Sequence, residues 1–164
     1  MHSKWVNSTE ELGLQPSDHF YAWLSKPKVL SEALRMLCQQ LSVQVISQQL
    51  GSATLEEQQL LNIAENNSLI REVYLCGDGA PWVQARVIVP YAVYKVYRSE
   101  LDNLGSKLFG EAFMYNKHNL SRNNCEFNLS TNGIYSRRTL FSLQLDRILV
   151  CETFLPAIPS YNEI

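Results

Sequence analysis

The spacing of hydrophobic residues changes several times along the chain, and each change marks an element. In SKPKVLSEALRMLCQQL, Leu30, Leu34, Leu37 and Leu41 recur at helical spacing, Ala33 and Cys38 widen the stripe, and Pro27 stands near the start. Just before it, Pro16-Ser17-Asp18 predicts the entry to a helix over HFYAWL. From Ser42 the period becomes two: SVQVISQQLG reads as a strand with Val43 and Val45 on one face and Gly51 at its end. TLEEQQLLNIAENN predicts a short covering helix.

Residues 70–76 and 81–89 are β-branched and aromatic runs separated by Gly77-Asp78-Gly79-Ala80-Pro81, in which Asp-Gly is a strong turn signal, so an antiparallel hairpin is predicted. YRSELDNLG reads as a helix closed by Gly105, and SKLFGEAFMYNKHN as a connection with one further short helix. CEFNLS, RRTLFSLQL and ILVCETFLPAIPSY supply three more strands, the last two joined near Leu145-Asp146. The sum is an α+β fold: an antiparallel sheet of about six strands with helices packed mainly on one side, in a single domain over 1–164.

Composition narrows the function classes. Hydrophobic residues make up 46% and charged residues 18% of the 164, with net charge −2, which suits a globular domain and argues against a nucleic-acid partner. No apolar run is long enough for a bilayer, and the N-terminal MHSKWVNSTEELG lacks the layout of a signal peptide, so a cytoplasmic protein without a membrane partner is expected. Cys38, Cys76, Cys125 and Cys151 are far apart and read as reduced, mostly buried residues; His2, His19 and His118 are equally isolated. There is no GxGxxG that opens a helix, no P-loop and no GxSxG. No metal and no cofactor are expected.

Two charges break the strand pattern. Arg71 shares a face with Val73 and Leu75, and Glu152 shares one with Ile148, Val150 and Phe154, while its other face is also mostly apolar. Arg86 shares a face with Trp82, Gln84 and Ile88 and is placed to join the same cavity or its rim. One reading pairs Arg71 with Glu152, or puts a strand end nearer solvent. The other is an enclosed pocket with a guanidinium at one end to fork a carboxylate and a carboxylate at the other to take a hydroxyl or proton. Trp82, Tyr74, Tyr91, Tyr94 and Tyr97 offer rings for stacking or for packing, and Arg137 and Arg138 either draw in an anion or cap a sheet edge. Leu30 and Phe109 read as core.

Three blocks in order, REVYLCGDGAPWVQARVIVP at 71–90, ELDNLGSKLFG at 100–110 and YSRRTLFSLQLDRILVCETFLPAIPSY at 135–161, resemble the chorismate lyase family. The first 65 residues match it only in helical pattern and in Trp23. The resemblance implies a monomeric, cofactor-free enzyme that turns chorismate into 4-hydroxybenzoate and pyruvate for ubiquinone synthesis, with the product held beneath helical flaps. It puts the family's product-binding arginine on Arg71, its glutamate on Glu152, its flap backbone contact on Phe109 and its flap methionine on Leu30. Its second arginine, linked to a neighbouring pocket, falls on Arg86.

On that footing Arg71 is expected to anchor the ring carboxylate and Glu152 the ring hydroxyl, while Arg86, helped by Arg137 or Arg138, attracts the side-chain carboxylate. Ser136 stands where the family has glycine, and Phe109 where it often has leucine; both bear on turnover rather than reaction class. Two rivals follow. The same fold resembles the effector-binding UTRA domain of GntR-type regulators, which would make the chain a sensor, although Met1 to Gly51 shows no basic winged-helix character. The other is a lyase for a related enolpyruvyl compound.

Overall fold

Asp78 and Gly79 both have positive φ, 48° and 87°, the backbone that a two-residue hairpin turn with the right twist requires, so the Asp-Gly signal is realised as a tight turn. It joins β2 (Ser68–Gly77) to β3 (Ala80–Pro90) at the centre of the computed structural model, which describes residues 4–64, 67–115, 117–118 and 120–161. His2 lies outside these residues, as do Glu65 and Asn66 at the end of the first covering segment and Asn116 and Asn119 in the second.

The remaining strands are β1 (Leu41–Gly51), β4 (Ser121–Leu129), β5 (Tyr135–Leu143) and β6 (Asp146–Phe154). All six pair antiparallel in the order β1-β2-β3-β6-β5-β4. Helices α1 (His19–Ser25), α2 (Leu30–Arg35), α4 (Tyr91–Tyr94) and α5 (Arg98–Asp102) and a π-helical turn at Gly110–Met114 cover one face, and α3 (Leu55–Leu61) covers part of the other. The α+β architecture with helices mainly on one side is the one the pattern predicts.

One boundary differs. The leucine stripe carries the predicted helix on to Leu41, yet α2 stops at Arg35, and Leu41 opens β1 opposite Gly77. The cause is tertiary. The Asp78 carboxylate at the hairpin tip accepts the backbone N–H groups of Gln39 (3.0 Å) and Gln40 (2.8 Å), which turns the chain out of the helix and onto the sheet edge.

The helix-covered face holds two apolar clusters. Trp23, Leu24, Leu34, Val83 and Phe154 form one, with the Trp23 indole N–H donated to the Pro159 carbonyl at 2.8 Å. Val89, Leu101, Phe113 and Ile148 belong to the other. On the opposite face Ile88, Leu149, Ala53 and Leu61 make a smaller cluster beneath α3. Thr54 and Glu57 close the N-terminus of α3 with reciprocal side-chain to backbone bonds, a capping box that fixes where this helix starts.

Three bulges interrupt the sheet: between Val45 and Ser47 in β1, between Leu75 and Cys76 on the β2–β3 pair, and between Arg122 and Cys125 in β4. Each shifts the alternation of side chains by one residue. The second leaves Trp82 as the extra residue, and it turns into the helix-covered core instead of lying with Gln84 and Ile88. Its ring passes over Gly77, where a Cβ would sit 2.1 Å from the indole, so glycine is required there by contact rather than by backbone angle.

Candidate active site

The two apolar clusters do not meet completely. Between them, over the middle of the sheet, lies a cavity of ≈ 80 Å³. Its floor includes Arg71, Val73 and Leu75 of β2, Ala85 and Val87 of β3, and Val150 and Glu152 of β6. Its roof comes from Leu30 and Ser31 at the start of α2 and from residues 107–110 with Met114 and Tyr115. Leu30 and Phe109, read as core from sequence, both face the cavity while remaining buried, and the Phe109 ring stacks on Phe113 at 5.4 Å.

Arg71 points inward, as strand alternation predicts, and only 3% of it is exposed. It does not pair with Glu152. Its Nη1 donates to the Gln48 side chain at 2.6 Å, and its Nη2 to the carbonyls of Gly105 (2.8 Å) and Lys107 (2.9 Å). All three acceptors are neutral. Burial consequently pushes the guanidinium pKa below its ordinary value. An arginine desolvated without a carboxylate is costly unless an anion reaches it, and it faces an open volume. Gln48 arrives through the β1 bulge: counting by twos from Val43 and Val45 puts residue 48 on the opposite face, and the extra residue brings it back, opposite Arg71.

Glu152 stands on the same face two strands away, about 10 Å across the sheet. Its Oε1 accepts from Arg137 Nε at 2.7 Å, and Arg137 Nη1 is held by the Pro27 carbonyl at 2.8 Å. Arg137 is fully interior; burial by itself would lower its pKa, and Glu152 more than offsets that, so the net shift is upward. Glu152 is the one carboxylate among the described residues that line the cavity.

Arg86 and Arg138 correct the sequence reading. Residues directly paired across strands share a face, and Arg86 pairs with Glu72 whereas Arg71 pairs with Val87. Arg86 therefore lies on the far side of the sheet from Arg71. There it bonds Glu57 through Nε and Nη2, both at 2.9 Å, and Glu72 through Nη1 at 2.5 Å. Arg138 lies on that side too, bound to Glu126 and Glu56 at 2.9 Å each and lying 4.1 Å from the Trp5 ring centroid. Neither lines the cavity. Nor do Trp82, Tyr74, Tyr91, Tyr94 or Tyr97.

Sequence reasoning missed Tyr115 and Arg122. Tyr115 lines the cavity and is two-fifths exposed as a residue (41%). Its phenol pKa is raised, first by burial and next by the charge of Glu152. Arg122 reaches in from β4, and its Nη1 donates to the Lys28 carbonyl at 2.7 Å. No periodic signal marks either residue, because Tyr115 follows an irregular turn and Arg122 sits at a bulge.

The two roof segments are joined on their outer side by a two-pronged ion pair between Arg35 at the end of α2 and Glu111 of the π-helical turn. Below it a second hollow, lined by Val43, Lys107, Leu108 and Ala112 among others, shares its inner wall with the cavity. The four cysteines are free thiols, and no group of three or more potential metal ligands occurs among the described residues. No helix among them is long and apolar enough to cross a membrane.

An antiparallel sheet with one helix-covered face and a pocket beneath that cover is a fold that solved structures share. The C-terminal domain of the histidine utilization repressor from Pseudomonas syringae superposes with a TM-score of 0.60 over 76% of this chain and 98% of its own, at 10% identity. A GntR-family transcriptional regulator from Bacillus cereus superposes with a TM-score of 0.54 over 76% of this chain and 97% of its own, also at 10% identity. These likenesses concern the fold alone. Sequence goes further: the family model for chorismate lyase matches residues 2–164, and the chain belongs to that family. A probable chorismate pyruvate-lyase from Marinobacter nauticus is 34% identical over 94% of this chain and 87% of its own length. The chorismate pyruvate-lyase of Cronobacter sakazakii is 29% identical over 86% and 83%.

Proposed function

We propose that this protein is a chorismate lyase: it cleaves chorismate to 4-hydroxybenzoate and pyruvate in the cavity between Arg71 and Glu152. The observation that carries the reading is the buried Arg71, a cation whose partners among the described residues are all neutral, facing a volume whose lining among those residues holds a single carboxylate. A ring with a carboxylate at one end and a hydroxyl at the other complements that arrangement.

The chemistry asks little of the protein. The bond between the ring and the enolpyruvyl oxygen breaks, the proton on the hydroxyl-bearing carbon leaves, the ring becomes aromatic, and the enolpyruvate gains a proton at its methylene to become pyruvate. Aromatisation drives the balance, so the site's work is to hold a reactive conformer and to stabilise charge as it moves. In this reading Arg71 forks the ring carboxylate, pre-oriented by Gln48 and the two carbonyls of the 105–107 segment. Glu152, held by Arg137, accepts the ring hydroxyl and is the carboxylate available at the carbon that loses its proton. Leu30 and Phe109 close over the ring. Arg137 acts here by positioning Glu152.

The reading extends to a monomer working in the cytoplasm, without a cofactor, at the head of ubiquinone ring synthesis, as one domain over the whole chain. The test is direct. Purified protein mixed with chorismate, without metal or nucleotide, is expected to yield 4-hydroxybenzoate and pyruvate in equal amounts by chromatography. Tight 4-hydroxybenzoate binding with no turnover would replace the enzyme with a sensor of the kind the fold also serves, and turnover of isochorismate in preference to chorismate would change the substrate.

A further inference from the structure

Chorismate carries two carboxylates and 4-hydroxybenzoate one. A site that discriminates substrate from product therefore needs a second anion contact that the product does not use. Arg86 and Arg138 are excluded by their position on the far face, where carboxylates already satisfy them. Arg137 is committed to Glu152 and the Pro27 carbonyl. Arg122 is different: it lines the cavity, has a neutral partner in the Lys28 carbonyl at 2.7 Å, and has no carboxylate partner among the described residues.

Its location matches the substrate's geometry. Across the sheet the charged groups run Arg71 on β2, Glu152 on β6 and Arg122 on β4, in the strand order β2-β3-β6-β5-β4. In chorismate the enolpyruvyl ether and the hydroxyl occupy adjacent ring carbons, so with the ring carboxylate on Arg71 and the hydroxyl on Glu152, the second carboxylate projects from the Glu152 end. In the strand order Arg122 stands two strands from Glu152 and four from Arg71, and Tyr115 lines the same cavity as both Arg122 and Glu152. The β4 bulge aims the side chain: Arg122 pairs with Phe141 and Cys125 with Thr139, three residues against two, so Arg122 joins Cys125 and Phe127 on the cavity side. The guanidinium lies 5.8 Å from the Phe141 ring centroid, which braces it there.

We propose that Arg122 is the residue that binds the enolpyruvyl carboxylate and so separates substrate from product, an assignment that rests on the chorismate lyase reading. Because it also holds the Lys28 carbonyl, the test must distinguish charge from roof support. Arg122→Gln keeps a donor for that carbonyl and removes the charge; Arg122→Lys restores charge without the fork.

With chorismate, Arg122→Gln is expected to raise KM by about 30-fold, the loss of one charge-assisted contact. Its Kd for 4-hydroxybenzoate should stay within about twofold of wild type, since the product has no group there. Arg122→Lys should recover part of the KM. An unchanged KM in Arg122→Gln overturns the assignment, as does a parallel loss of product affinity, which would mark a roof-supporting role. A KM effect that moves to Lys28→Gln instead transfers the contact to that lysine and also overturns it. A wild-type protein that makes no 4-hydroxybenzoate removes the lyase reading itself, an outcome distinct from all of these.

Discussion

Arg71 and the two arginines on the far face of the same sheet are treated in opposite ways. On the far face, Arg86 meets Glu57 and Glu72, and Arg138 meets Glu56 and Glu126, so each cation is matched by two carboxylates. On the cavity face, Arg71 is more deeply buried than either partner-rich arginine, and its acceptors among the described residues are all neutral. Arg71 and Arg86 lie one strand apart on the same hairpin. The difference between structure and function thus lies in what neutralises the charge: carboxylates of the protein for Arg86, Arg138 and Arg137, and for Arg71 a place left for one that arrives. The far-face pairs also tie α3 to the sheet, since Glu56 and Glu57 both belong to it.

Breaking the cavity face should produce the largest effects on activity, with a large cost in stability only where the interior Arg137–Glu152 pair is broken. Arg71→Met is expected to lower kcat/KM by about 10³-fold and to weaken 4-hydroxybenzoate binding in parallel, because a forked charge-assisted contact is lost. Its unfolding free energy should shift by no more than about 1 kcal/mol, since the desolvated cation leaves together with its neutral bonds. Steady-state kinetics and urea unfolding on one preparation would check both, and an Arg71→Met protein with full product affinity would end the carboxylate assignment. Glu152→Gln is expected to reduce turnover by about 10²-fold. It should also destabilise the fold by about 3 kcal/mol, because Arg137 is left as an interior cation without its carboxylate.

The far face should show the reverse. Arg86→Met is expected to cost about 2 kcal/mol of stability while kcat/KM stays within about threefold. Its pH dependence sharpens the contrast. Burial by itself would raise the Glu57 carboxyl, but hydrogen bonds from Arg86 and from Thr54 outweigh it and hold the pKa below the usual carboxylate value. A depressed folded-state pKa contributes stability that is complete above the unfolded value near 4.5 and is lost as pH falls through the lower folded value. The wild-type urea midpoint should therefore fall more steeply between about pH 5 and pH 3 than that of Arg86→Met. Equal slopes would show that the Arg86 pairing is not what sets the Glu57 carboxyl.

The smallest effect belongs to the roof. Arg35 and Glu111 are half-exposed, so their ion pair is worth little to global stability, but it joins the two segments that cover the cavity. Glu111→Ala is expected to leave the unfolding midpoint unchanged and to speed 4-hydroxybenzoate release by about two- to fivefold in a stopped-flow displacement experiment.

Much of this was legible in the order of residues. Alternation in the central strands is strict wherever no bulge intervenes, so the inward aim of Arg71 and Glu152 follows from Val73, Leu75, Val150 and Phe154 alone. The Asp78-Gly79 turn and the hairpin around it follow from local backbone preference, which needs no tertiary partner. Whether Arg71 and Glu152 pair with each other could not be read locally, because that depends on β3 lying between β2 and β6. Likewise Arg86 and Arg138 carry the same charge as the cavity arginines, and only the register of neighbouring strands, with α3 delivering its two glutamates, assigns them to the far face. Gln48 and Arg122 lie beyond local reading for a sharper reason: each owes its direction to a bulge, a single extra residue whose position is set by how two strands pair. Periodicity along one strand determines which residues share a face, and pairing between strands decides which face they meet and which charges are left for a ligand.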